Sequence, residues 1–335
     1  MMNWAQGYTS EYYATRIDPA TWRDIERIEI TGGTIKRETE GLRDSAQIYC
    51  DRYTQDIEQW IRIYMDCKQG GNNEHVALFT GLATSPQRDR NGVIETSAVE
   101  CYSVLKPAAD VYLLRGWYAP AGVSGATVIR DLLSALPAPV EIADNAPALS
   151  GAIIAEQNET KLSMIEKILT AIDWRLRVHG DGHISVEPKS EEPVASFDPF
   201  EFDVLETEVK VKQDWFSAPN VYMAIDNDLT AIARDDSVNS PLSTINRGRE
   251  VWAADNAVNL AENQTIEQYA RMMLDQAQKV KKAVGYNRRF MPDIYPGDVV
   301  RLRYPEQDAN GLFTVSTQSI EIGYSARTDE EITEL

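Results

Sequence analysis

The stretch PGDVVRLRYPEQDANGLFTVSTQSIEIGYSARTDEEI, residues 296–332, decides the fold. Pro296-Gly297-Asp298 supplies a tight turn, and Val299, Leu302 and Tyr304 follow as packing positions. Asn310-Gly311 has the dipeptide favoured in tight hairpins, so the stretch reads as strand, turn, strand. It contains neither histidine nor cysteine. β-structure without visible chemistry points to a role in building something.

Similar patterns precede it. WRDIERIEITGGTIKRETEGLRDSAQIYCDRY gives two β-rich runs with Thr31-Gly32-Gly33 as the expected turn between them. QWIRIYMDCKQGGNNEHVALFTGLATSP places alternating runs around Gly70-Gly71-Asn72-Asn73. A third hairpin is expected at Asn91-Gly92. Several strands joined by short polar turns predict an antiparallel sheet or small barrel over residues 1–110.

The period changes in the middle. SGATVIRDLLSALPAP, from Ser124, predicts a short helix ending before Pro137. In NETKLSMIEKILTAIDWRLRV, Leu162, Ile165, Ile168, Leu169 and Ile172 recur at three and four, one face of a helix. RLRVHGDGHISVEP then reads as strand, Gly180-Asp181-Gly182 turn and strand. Pro188 and Ser190-Glu191-Glu192-Pro193 mark a linker, so residues 111–195 form an α/β segment.

β-structure returns over 196–335, with alternation from Val204 to Lys212 and again after Pro219. DNDLTAIARDDSVNSPLSTINRGRE lacks clear periodicity and is expected to be a long excursion. A long helix is predicted from Thr265, with Gln268 as its capping-box partner. Its expected buried stripe is Ile266, Tyr269, Met273, Ala277, Val280 and Val284. The predicted class is mainly β with α+β insertions: two small β-barrel domains, 1–110 and 196–335, with α/β pieces between them and a loop and helix inserted in the second.

Composition excludes several functions. The 335 residues are enough for about two average domains. Hydrophobic residues at 43% and charged residues at 25% are ordinary for a folded chain. Apolar runs fall short of the roughly 18 residues that a membrane span needs, and the N-terminus lacks a secretory pattern, so cytoplasmic synthesis and no membrane insertion are expected. The net charge of −19 argues against a nucleic-acid binder, which needs surplus lysine and arginine. Cys50, Cys67 and Cys101 form no CxxC motif and are expected to be core or interface thiols.

Catalytic signatures are missing. His179 and His183 lie four apart, but across a turn and without the glutamate of HExxH, so a plain hairpin end is expected. Asp226-Asn227-Asp228 lacks the glycine and distal glutamate of a calcium loop. There is no GxSxG, Walker motif or GxGxxG, and 52 acidic residues make any carboxylate pair uninformative for glycoside hydrolysis. Trp22, Trp60, Trp117, Trp174, Trp215 and Trp252 are scattered rather than interleaved with basic patches, so core or interface anchors are expected. Gly116-Trp117-Tyr118, which follows an apolar strand, is expected to be exposed. No catalytic, cofactor-binding or metal-ligating residue is assigned, and no cofactor is expected.

Taken in order, three segments resemble the baseplate hub family of long-tailed phages and of phage-derived contractile injection machines. They are NETKLSMIEKILTAIDWRLRVHGDGHISVEP, then DDSVNSPLSTINRGREVW with the helix TIEQYARMMLDQAQK, then the 296–332 stretch; together they cover about the C-terminal half. The N-terminal part matches in general plan only. The resemblance implies a homotrimeric ring of two β-barrels per chain that joins the tail tube or distal tail protein to a central spike or fibre. It also implies a lumen passing DNA and tape-measure protein without specific DNA binding, within a virion tail baseplate assembled in the host cytoplasm. An acidic lumen would discourage DNA from lingering. Some family members carry a fused peptidase or lysozyme domain; with the sequence given ending at Leu335, none is expected. The competing expectations are a cell-wall hydrolase, which needs a carboxylate pair in a cleft, and a carbohydrate-binding tail-tip protein, which needs exposed tryptophans lining a groove.

Overall fold

The computed structural model describes residues 2–51, 53, 57–91, 94–198, 205–226, 229–255, 258, 264–323 and 327–335. Its chain separates into two compact units, Met1–Lys210 with Gly285–Thr333, and Val211–Val284 with the last two residues.

The larger unit begins with eight strands: β1 (Thr9–Asp18), β2 (Arg23–Glu29), β3 (Gly32–Glu38), β4 (Asp44–Cys50), β5 (Gln59–Gln69), β6 (Asn72–Ala83), β7 (Gln87–Asn91) and β8 (Ile94–Ser103). The alternation of side chains makes these half-buried strands: along β4 every second residue from Asp44 to Cys50 is buried. Gly70 and Gly71, both with positive φ, turn β5 into β6 as expected. β7 and β8 pair antiparallel around the expected third hairpin; Gly92 itself lies outside the described residues.

Gly32-Gly33 is a correction. The two glycines are not a turn between paired runs but the start of β3, which pairs with β4, while β2 pairs with β1. Gly33 is needed for close approach: a Cβ there would meet the Gln47 carbonyl oxygen at 2.2 Å. The real hairpin turn joins β3 to β4, where Gly41 and Arg43 take positive φ.

An α/β segment follows, with α1 (Lys106–Asp110), β9 (Tyr118–Ala119), α2 (Gly125–Leu133), β10 (Val140–Ile142), β11 (Ile153–Ile154), α3 (Lys161–Ile172), β12 (Trp174–Val178) and β13 (Ile184–Pro188). Thr160 and Ser163 form a reciprocal capping box at the start of α3. The five apolar positions read from the sequence, Leu162, Ile165, Ile168, Leu169 and Ile172, are all buried in one core with Ile129, Leu133 and Trp174.

The later strands are β14 (Pro193–Phe197), β15 (Leu205–Gln213), β19 (Lys282–Arg289), β20 (Val299–Tyr304), β21 (Ala309–Ile322) and β22 (Arg327–Glu334); β15, β19 and β22 each run across the boundary between the units, and β16 to β18 belong to the second unit. Asn310-Gly311 is also corrected: both lie inside β21, opposite Arg303 and Leu302. The β20–β21 turn is instead Pro305–Asp308, ended by Asp308 in the left-handed region. Pro296-Gly297 is a turn, with Gly297 at φ +86°, and Val299 and Leu302 are buried.

The molecule is mainly β. One sheet of fourteen strands runs β15-β19-β22-β21-β3-β4-β8-β6-β5-β1-β2, with β20 and β14 branching from β21 and β7 from β8. Antiparallel β21 is the joint. Its Ala309–Thr314 end pairs with β20 and its Thr317–Ile322 end with β3. The core beneath crosses the joint: Ile35, Ile48, Ile61, Phe79 and Val99 pack with Phe290, Ile320 and Ile322. Among the described residues the strand path stays open, with β2 and β15 at its ends.

The second unit holds β16 (Val221–Asp226), β17 (Leu229–Arg234), α4 (Thr244–Arg247), β18 (Trp252–Asp255) and α5 (Ile266–Ala277). Its sheet order is β17-β16-β18. The supposed unperiodic excursion therefore contains strand β17 and helix α4; short elements of four to six residues give little periodic signal. Thr265 and Gln268 form the expected capping box. The helix is shorter than predicted, and its buried face is Ile266, Ala270 and Leu274. Tyr269 and Met273 are only partly buried, and Val284 belongs to β19.

Candidate functional site

The helix–hairpin segment is held at two places. At its tip, the Gly180-Asp181-Gly182 turn is pressed against β6. Thr80 Oγ1 donates to the Gly180 carbonyl at 2.8 Å, and Arg62 Nη2 and Trp22 Nε1 donate to the Asp181 carbonyl at 3.0 and 3.1 Å. Glycine is required here: a Cβ on Gly180 would lie 1.9 Å from the Ala77 carbonyl oxygen, and Gly182 sits at φ +81° against Thr80 and Trp22.

On its flank, β12 aims two arginines at the Pro296-Gly297-Asp298 turn. Arg175 Nη1 donates to the Gly297 carbonyl at 2.7 Å and to Asp298 Oδ1 at 2.9 Å, and Arg177 pairs with the same carboxylate. Asp298 is buried; its other oxygen accepts from the Tyr295 backbone at 2.9 Å and its carbonyl from Val315 at 2.8 Å. A charged acceptor held by two guanidiniums and a backbone N–H is a strong junction. The hairpin thus bridges the two halves of the sheet, β6 on one side and the turn before β20 on the other.

All three histidines of the chain, His75, His179 and His183, line one cleft of about 540 Å3 beside this junction, with Trp4, Asp181 and Tyr295. His179 and His183 are neighbours in sequence; His75 comes from β6, over a hundred residues away, and no local pattern joins it to them. Each ring has its own partner. His75 Nδ1 lies 2.6 Å from Asp66 Oδ1, His179 Nε2 lies 2.9 Å from Ser185 Oγ, and His183 Nε2 lies 3.5 Å from Glu141. His179 and His183 stack at 5.2 Å as a hairpin end. Burial, with the charges of Arg177 and His183, holds His179 below the usual imidazole range. Among the described residues no group of three or more His, Cys, Asp or Glu side chains could hold a metal ion.

Buried acids serve the scaffold. Glu330 accepts from Arg288, Tyr286 and Gln318 in a network closed to solvent. Glu166 pairs with Arg43 at 2.8 Å. Burial pushes the Asp44 carboxyl up to about 7, against hydrogen bonding from Ser103 and the charge of Arg37. A carboxyl so raised in an open cleft would be a catalytic candidate; Asp44 is enclosed between β3 and β8.

The remaining singled-out residues scatter. Cys50, Cys67 and Cys101 are buried free thiols in the sheet core. Trp174 is buried, and Trp22, Trp60 and Trp117 pack at the edge of the α/β core. Trp215 and Trp252, in the second unit, are half exposed. In Gly116-Trp117-Tyr118, it is Tyr118 that is exposed, paired across β9–β11 with exposed Ile154. Asn227 and Asp228 of the acidic triplet lie outside the described residues. Among the described residues no helix is long and apolar enough to cross a membrane.

No protein-family model and no curated protein sequence matches the chain. Solved structures do, and the fold they share with it is that of phage and prophage tail proteins. A tail protein from Neisseria meningitidis MC58 is similar over 98% of this chain and 97% of its own, at TM-score 0.69 and 14% identity. The 43 kDa tail protein of prophage MuSo2 from Shewanella oneidensis matches over 96% and 98%, at TM-score 0.66 and 11% identity. Prophage tail protein gp18 from Listeria monocytogenes EGD-e matches over 97% and 94%, at TM-score 0.55 and 12% identity.

Proposed function

We propose that this chain is a structural subunit of a phage-type tail baseplate, a hub without catalysis of its own. One observation carries the reading: the fold follows tail proteins almost from end to end of both chains. The clamp described above supports it. It spends the conspicuous charged side chains of the junction on holding pieces together, as a scaffold requires.

In this proposal, residues 1–110 and 196–335 are the two tube domains and 111–195 the piece between them. Three copies close into a ring, so that six tube domains meet a sixfold tube or distal tail protein on one side and a threefold spike or fibre on the other. Among the described residues the sheet path ends in β2 and β15, and a ring of copies covers such edge strands without leaving one free. The charged sequence RDIERIE of β2 keeps its edge soluble until then. The lumen passes DNA and tape-measure protein, and its wall is acidic, in line with the −19 net charge.

Negative-stain imaging at high protein concentration and low salt, together with light-scattering mass, tests the ring. Threefold particles with a central hole are expected. Single-chain particles both alone and when mixed with the tube and spike proteins of the same tail would refute the hub. A lumen wall found neutral or basic in a ring structure would remove the acidic-channel idea while leaving the hub intact.

A further inference from the structure

A small, partly open cavity lies beside the clamp, walled by Arg37, Glu38, Arg43, Arg177, Tyr295 and Pro296 among others. It leaves about 10 Å3 for the centre of a water-sized occupant. Three guanidiniums on its wall have unmade hydrogen bonds. Arg37 Nη1, Arg43 Nε and Nη1, and Arg177 Nε are all buried without a partner.

Arg37 is the most exposed to this cost. It is 3% exposed, and its Nη2 donates to a neutral acceptor, the Leu78 carbonyl, at 2.7 Å. Its guanidinium lies 4.5 Å from the centre of the Tyr295 ring, and that of Arg177 lies 5.2 Å from the same ring. Two cations therefore share one aromatic ring. Asp298 and Glu166 compensate Arg177 and Arg43. Opposite Arg37 in the ladder stands Asp44, a carboxyl that burial raises to about 7, so that it carries only about half a charge at neutrality, and whose Oδ1 also lacks a partner. Glu38 on the wall is exposed and reaches none of the four nitrogens. A buried cation facing no full counter-charge is costly, and an unfilled donor beside a cavity calls for an occupant.

We propose that this cavity binds one small monatomic anion, chloride or another halide, held by Arg37, Arg43 and Arg177. Water is the poorer occupant. It accepts two hydrogen bonds and must also donate two, whereas among the described side chains that line the cavity the unpartnered groups are guanidinium donors; the unpartnered acceptors Asp44 Oδ1 and Glu166 Oε1 belong to residues outside that lining. A halide accepts from all of these donors, donates nothing and supplies the charge that Arg37 lacks.

Crystals of the full chain grown in sodium bromide, with anomalous scattering recorded at the bromine edge, test the site. A peak in contact with Arg37 and Arg177 is expected; its absence there, with water or no density, overturns the proposal. In solution, the wild-type melting midpoint is expected to rise saturably by a few degrees when bromide or chloride replaces gluconate at constant ionic strength. Arg37→Met is expected to abolish that response. Equal midpoints in halide and gluconate overturn the proposal even if the variant fails to fold.

Discussion

Replacing Gly180 by alanine tests the clamp at its tightest point. The new Cβ would fall 1.9 Å from the Ala77 carbonyl oxygen, 2.7 Å from its carbon and 3.0 Å from the Leu78 carbonyl carbon. All three are backbone atoms in the middle of β6, so no side-chain rotation relieves the clash; the turn has to back away. Retreat breaks the bonds from Thr80 to Gly180 and from Arg62 and Trp22 to Asp181. Two neutral bonds contribute about 1 kcal/mol each and one from a charged donor about 2 kcal/mol, with Arg62 left buried. The expected loss is therefore about 3–5 kcal/mol, a drop of roughly 6–20 °C in melting midpoint for a unit of this size. Thermal and urea unfolding measure it, with Trp22 fluorescence as a local probe. Gly151→Ala is the control, since a Cβ there meets nothing within 4 Å and the backbone is not left-handed; it should shift stability by under about 0.5 kcal/mol. A Gly180→Ala midpoint matching that control would refute the docking argument.

Three further outcomes follow from the buried groups. Asp44 has its folded pKa raised from 3.8 to about 7, so the folded state holds the extra proton between those values. Its contribution to stability then falls as pH rises from about 4 to about 7, by on the order of 4 kcal/mol, and is flat above; Asp44→Asn should flatten that limb in urea titrations at stepped pH. Glu330→Gln leaves Arg288 buried without its counter-charge and should cost about 3–5 kcal/mol, read in the same assay. Burial pushes the thiols up, Cys50 to about 11 and Cys67 to about 12, with Cys101 raised as well, so a thiol-reactive chromophore at pH 8 should label them only in denaturant.

Local signals in the sequence translated well where one element carries its own instructions. The α3 stripe and the capping box at Thr265 arise from residues three or four positions apart. Turn chemistry misled where tertiary approach outranked it. Gly32-Gly33 and Asn310-Gly311 look like turns, yet each lies within a strand, Gly33 because β4 passes too close for a side chain. The shorter α5 has a related cause: the run of apolar residues continues through Val280 and Val284, but Val284 is taken by strand β19. The junction itself was invisible. Arg175, Arg177 and Asp298 meet across more than 120 residues, and His75 joins the other two histidines only through the docking of a turn.

The joint at β21 has a consequence for how the chain is made. Glu38 in β3 and its ladder partner Thr317 are about 280 residues apart. At roughly 5–20 residues per second of synthesis, β3 emerges some 15 to 55 seconds before the strand that covers it. Throughout that interval β3 presents an open edge above a half-built core lacking Phe290, Ile320 and Ile322. Such high contact order slows folding and leaves the nascent chain open to edge-to-edge pairing with its neighbours. Copies translated close together on one message therefore meet while still adhesive, so the step most prone to aggregation belongs to the nascent chain and not to the finished subunit.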